Sequence, residues 1–252
     1  MNHAPSPSPA LPPRPPAGSP PYFTLLYTPA ALRLTLATLL ALADEISAGA
    51  ARGLEHSVAH VRLDWWRGEA ERYARGEPQH PWLRALAEDP AGRRLQLQPL
   101  VEAAAADLAT QSLSARPGAA LRRAVFELAG ATLQPAAGDG APATQLPRLL
   151  SDLGERALEL ERFAGTPLPP RAASAAPAAA LEALREQARG IDRALQPHLA
   201  PLLVWIALVA RRAQRHARRA GGKSGSGFDA FADNMIAWSA ARRAARGRFR
   251  ID

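Results

Sequence analysis

The side chains best suited to chemistry fall into three groups. His56 and His60 are four residues apart, a spacing that turns two imidazoles to one side of a helix and lets them share a metal ion. No glutamate follows His56 to serve as a base, and a pair of exposed helix histidines has the same pattern. Asp152, Glu155 and Glu159 recur at i, i+3 and i+7, so one helix face carries three carboxylates able to hold a hard cation. Arg148, Arg156 and Arg162 are interleaved with them, so local ion pairs account for the same residues. The third group is Arg211, Arg212, Arg215, Arg218 and Arg219. Such a run attracts phosphates, and it also simply complements the negative end of a helix.

Other chemistries lack their residues. The chain has no cysteine, which excludes disulfides, thiolate metal sites and cysteine nucleophiles and suits a reducing compartment. It has no Gly-rich phosphate loop and no nucleophile elbow, so kinase, NTPase and hydrolase readings are unsupported. The net charge of +8 is uneven: residues 205–252 hold 11 Lys or Arg against 3 acids, while residues 1–204 are balanced. Nucleic acid is the weaker partner for that basic end, because no aromatics are interleaved and no known module is present. An anionic membrane surface or a protein partner fits it better. The longest apolar run, Leu199 to Ala210, is shorter than the ~20 residues of a membrane span, so it reads as a buried core helix. No secretory leader is apparent, and a cytoplasmic location, soluble or peripheral to the inner membrane, is expected.

The elements that must position these groups are helices. Ala and Leu dominate, β-branched residues are few, and the 24 prolines and 18 glycines cluster between apolar stretches. The expected fold class is all-α. Residues 1–20 (MNHAPSPSPALPPRPPAGSP) read as a disordered arm. Residues 21–220 form a helical domain, and residues 221–252 a Gly-rich linker with a basic helix. A first helix is predicted from Thr28-Pro29, with Thr28 as its cap, to about Ser47. A second spans about Gly53 to Arg75 and buries Leu54, Val58, Val61 and Trp65. His80-Pro81 marks a short turn. Further helices are predicted near 99–112, 117–132, 146–164, 177–195, 198–219 and 228–247, the last opened by Ser226 and Asp229 in a capping box. Loops fall at 134–144 and 165–176.

Three segments carry a resemblance, in order and at matching spacing over residues 22–86. They are Tyr22-Phe23 with Pro29, Arg33 and Ala43-Asp44-Glu45-Ile46; Leu63-Asp64-Trp65-Trp66-Arg67-Gly68-Glu69; and Gly76-Glu77-Pro78-Gln79-His80-Pro81-Trp82-Leu83-Arg84-Ala85-Leu86. Together they resemble the squalene/phytoene synthase family, whose members join two prenyl diphosphates head to head. The resemblance implies an isoprenoid-synthase-type helical bundle around a central apolar cavity. It makes Tyr22, Arg33, Trp65 and Arg67 candidates for binding substrate or diphosphate, with Trp65, Trp66 and Tyr73 candidate cavity walls. Asp107 lies where a family helix carries an Asp. Asp44 and Glu45 stand in the first metal motif, and Asp152, Glu155 and Glu159 near the second, where Mg2+ would hold the diphosphates.

The sequence departs from the family at those motifs. The first, roughly Asp-Asp-x-x-Asp, reads Asp44-Glu45-Ile46-Ser47-Ala48 here, so Asp44 has lost its partner one turn on. Asp44 and Glu45 diverge by about 100° around a helix and cannot face one cavity together. The second motif's Asp positions are not filled. A catalytically degenerate relative is therefore expected, one that binds a lipid such as a prenyl lipid, or a partner, as an assembly factor and needs no cofactor. Some family members resemble respiratory complex I assembly factors in this way. The alternative is an active Mg2+-dependent prenyltransferase of isoprenoid biosynthesis with a substituted metal site.

Overall fold

A computed structural model describes residues 11–49, 56–110, 118–134, 145–165, 175–219 and 229–251. They are helical throughout, with no strand among the described residues. Ten α-helices follow one another: α1 (Pro20–Leu26), α2 (Ala30–Gly49), α3 (His56–Ala74), α4 (Pro81–Glu88), α5 (Gln98–Thr110), α6 (Ala119–Leu133), α7 (Leu146–Gly165), α8 (Ala175–Arg189), α9 (Ala200–Arg219) and α10 (Asp229–Ala244). A 3-10 turn at Gly92–Arg94 joins α4 to α5.

The apolar run Leu199–Ala210 makes α9 the centre, as its composition predicts. Leu199, Leu203, Val204, Ile206 and Leu208 are fully buried there. No described helix is long and apolar enough to cross a membrane. Helix α9 packs against α1, α7 and α10, α7 against α6, α6 against α2, and α2 against α1. Five helices thus close a ring: α1, α2, α6, α7 and α9. Helices α3, α4 and α5 pack outside α2 and α6, and α8 outside α7. The α6–α7 pair is the tightest part of the ring. A Cβ added at Gly130 would lie 2.1 Å from a Leu150 methyl, and one at Gly154 only 2.8 Å from the Arg122 carbonyl oxygen. Backbones approach this closely only where no side chain intervenes.

Several expectations are corrected. Gly18 to Pro20 belong to the folded structure and not to a loose arm. Ser19 accepts from the Tyr22 N–H and caps α1, and the Gly18 carbonyl accepts from Arg212. Thr28 does not cap α2 through its side chain; its hydroxyl donates to the Thr24 carbonyl at 2.7 Å and ends α1 instead. His80-Pro81 opens a helix, with His80 Nδ1 accepting from the Trp82 N–H and Pro81 in the first turn. The predicted 177–195 helix ends at Arg189.

The buried stripe of α3 is offset by one residue. Ala59, Leu63, Trp66, Ala70 and Tyr73 face the core, while Val58, Val61 and Trp65 are exposed. One position is a 100° rotation. The predicted stripe runs on into Gly68 and Arg72, whereas the adjacent one runs on into Ala70 and Tyr73 and so buries more apolar surface. Leu54, residues 1–10, the linker 221–227 with Ser226, and most of both predicted loops lie outside the described residues.

Candidate functional site

The helix ring borders a half-open pocket of about 230 Å³. Its walls include Pro21 of α1, Leu40, Asp44 and Ser47 of α2, Arg122 and Val125 of α6, Leu158 of α7 and Trp205 of α9. Asp44 reaches it because α2 buries Leu36, Leu39, Leu40 and Ala43 on the same side. Asp44 is solvent-exposed at the rim; the partial desolvation it meets there raises its carboxyl above the ordinary range, and the Arg122 charge offsets part of that rise. Glu45, one residue on, points elsewhere, with its carboxylate 3.5 Å from His80 Nε2. The angular argument from sequence therefore holds for these two residues.

Across the cavity stands a group that sequence reasoning missed. The Arg122 guanidinium lies 4.8 Å from the centre of the Trp205 ring and 3.0 Å from a Glu161 oxygen. The Trp205 indole N–H donates to the other Glu161 oxygen at 2.7 Å. Phe126 closes the cluster edge-on to Trp205, with ring centres 5.3 Å apart. One signal was readable: a tryptophan in the middle of an apolar core run needs an acceptor for its N–H. Which acceptor could not be read, because α7 and α9 meet only in the fold.

The other candidates are dispersed. Tyr22 is partly exposed and packs edge-on to Phe23. Arg33 donates to the Thr28 carbonyl, and Arg67 pairs with Asp64 and Glu102 on the outer surface. Trp65 is exposed, which corrects its place as a cavity wall. Trp66 and Tyr73 are buried, but Tyr73 spends its hydroxyl on the Gly92 carbonyl at 2.6 Å. That burial, with Asp89 nearby, holds the Tyr73 hydroxyl well above its ordinary range. Glu159 pairs with Arg156 at 2.7 Å, one of the local ion pairs expected, whereas Glu155 lies 3.8 Å from Arg123 of α6, a contact between helices. Asp152, half-buried on the same helix, is not part of the cavity wall described above. Asp107 accepts from the Ala120 and Leu121 N–H groups and so caps α6, whose own cap residue is Gly118. The side chain of His56 lies outside the described residues, and His60 is exposed. No group of three or more potential metal ligands occurs among the described residues.

The residues that carry the resemblance form a structural clamp. Glu69 is fully buried on α3. One of its oxygens accepts from the Gln79 and His80 N–H groups, each at 2.7 Å, and the other from Arg72 at 2.8 Å. The Trp-Arg-x-Glu helix thus holds the Gly76–Pro81 turn directly.

The cavity's polar wall is an acid facing a guanidinium that another acid already neutralises. Mg2+ needs several converging hard oxygen ligands, and a fixed cation beside the one available carboxylate opposes a divalent ion. The residues present do not fit a metal cluster. Because partial desolvation raises the Asp44 carboxyl, the folded state binds its proton more tightly than the unfolded chain does. Asp44 therefore lowers stability as pH rises through its folded titration range. Because Asp44 is exposed and solvent screens its charge, Asp44→Asn is expected to raise the thermal midpoint at pH 7 only slightly, with the gain vanishing near pH ~3, where both states are protonated. Melting curves at the two pH values check this.

No known protein family, curated protein or solved structure matches the chain.

Proposed function

We propose that this protein is a non-catalytic relative of the squalene/phytoene synthases that binds a single lipid chain or a partner segment in its helix ring, while its basic C-terminal region meets an anionic membrane surface. The observation that carries the reading is the Asp44–Arg122–Glu161–Trp205 wall. Ionising a prenyl diphosphate requires clustered divalent cations to take up the charge of the leaving group. Here the position opposite Asp44 is taken by Arg122, already bound to Glu161 and stacked on Trp205.

A pocket of about 230 Å³, below the roughly 300–1,000 Å³ of most small-molecule sites, does not hold two prenyl chains side by side, and a single chain would extend out through its open side. Two of the three segments that carry the resemblance are tied together by Glu69 and the turn it clamps, a role in architecture and not in reactivity.

The test is direct. The purified protein is incubated with farnesyl or geranylgeranyl diphosphate and Mg2+, and pyrophosphate is measured. None is expected above the buffer rate. In calorimetry, farnesol is expected to bind about as tightly as farnesyl diphosphate, with no change on adding EDTA. Pyrophosphate release that disappears in Asp44→Ala would establish the prenyltransferase alternative instead.

A further inference from the structure

Helix α10 has two unlike faces. Asp233, Ala237, Ala240 and Ala244 are buried against the body of the protein. On the opposite side Phe231, Met235 and Trp238 recur at i, i+4 and i+7 and are 66%, 47% and 47% exposed. These three large apolar side chains form one stripe, and exposed apolar surface that is grouped in this way marks an interaction site.

The charge after the stripe is mostly positive. Residues 242–250 contain five arginines and no acid, with Asp252 two residues on. Arg242, Arg246, Arg248 and Arg250 are exposed, and the Arg242 guanidinium lies 5.1 Å from the centre of the Trp238 ring. The arginine run of α9, by contrast, is partly committed. Arg212 and Arg215 both bind the Asp233 carboxylate and fasten α10 in place. The positive charge on offer near α10 therefore lies at its own C-terminal end.

We propose that this face of α10 docks onto an anionic lipid bilayer. Phe231, Met235 and Trp238 enter the boundary between headgroups and acyl chains, and Arg242, Arg246, Arg248 and Arg250 meet the lipid phosphates. Charge complementarity selects the occupant: a stripe of aromatic and thioether side chains continuing into exposed arginines matches an apolar layer beneath a negative surface. The proposal refines the membrane part of the reading above by assigning the surface. It does not depend on what the cavity holds.

The experiment uses the full chain and flotation with phosphatidylcholine vesicles, with or without phosphatidylglycerol. Wild type is expected to float only with the anionic vesicles. The triple substitution Phe231→Ser, Met235→Ser, Trp238→Ser is expected to weaken binding at least about tenfold. Arg242→Gln with Arg246→Gln is expected to weaken it by roughly fivefold per arginine. Circular dichroism confirms that these surface variants keep their helices. Wild-type binding that survives the triple substitution overturns the assignment to α10 and leaves the membrane reading standing. No binding to either vesicle overturns both. A concentration-dependent dimer, abolished by the triple substitution in a protein that does not float, makes the face a contact between two copies and also overturns the proposal.

Discussion

Glu69→Ala is expected to destabilise the protein by about 3–5 kcal/mol, the scale for removing one partner from a buried charged network. The carboxylate is fully buried and accepts from two backbone N–H groups and from Arg72. Truncation leaves the Gln79 and His80 amides without their acceptor and Arg72 without its counter-charge. Water is poorly placed to replace an acceptor at a site with no exposure. For a chain of this size each kcal/mol lowers the midpoint by about 2–4 °C, so a fall of about 6–20 °C is expected. Glu69→Gln keeps one acceptor oxygen and loses the charge, and its loss should be about half as large. Urea unfolding checks both through the transition midpoint. A loss below about 1 kcal/mol for Glu69→Ala would mean that something else holds the turn.

Asp233→Ala is expected to cost a similar amount but to act locally. Asp233 is 6% exposed and receives both Arg212 and Arg215. Its removal leaves the Arg212 guanidinium of α9 without its carboxylate and Arg215 with only the longer contact to Asp229, a penalty of up to about 3–5 kcal/mol. The buried face of α10 is mostly alanine, which contributes little apolar area to offset that. Helix α10 should therefore open while the ring stays closed. Hydrogen exchange is the suitable measurement: protection should fall in residues 229–244 and persist in α6, α7 and α9. Uniform loss of protection across all four helices would show that α10 is integral to the core.

The all-helical class and most helix positions were legible because apolar spacing and Pro or Gly punctuation act locally. The run from Leu199 to Ala210 is buried as its composition requires. The divergence of Asp44 and Glu45 also followed from helix geometry alone. What failed was a choice between two adjacent stripes on α3. Val58, Val61 and Trp65 are as apolar as the residues that are buried, and the difference shows only in the next turns, where Ala70 and Tyr73 continue one stripe and Gly68 and Arg72 the other. Helix α4 was hidden because its cap is the histidine ring of His80, an uncommon N-cap whose acceptor nitrogen the sequence does not announce.

The candidate site was less legible than the fold. Arg122 and Arg123 are neighbours of the same type, yet one stacks on Trp205 and the other reaches towards Glu155. That difference arises from the α6–α7 seam, where Gly130 and Gly154 set how closely the helices meet. Glu161 lay in a charged segment that reads as a solvated face. Its partners come from α6 and α9, at separations of 39 and 44 residues, which no local pattern encodes.

The short first helix has its packing partner near the far end of the chain. Helix α1 rests on α9, and the Gly18 carbonyl accepts from Arg212 across 194 residues of sequence. During synthesis α1 leaves the ribosome long before α9 exists, so its packing against α9 must wait until the chain has grown past that helix. The ring can close only after α9 has emerged. Nascent protein halted before residue 200 should therefore display an unsheltered N-terminal segment to chaperones, and closure of the ring should be a late folding event.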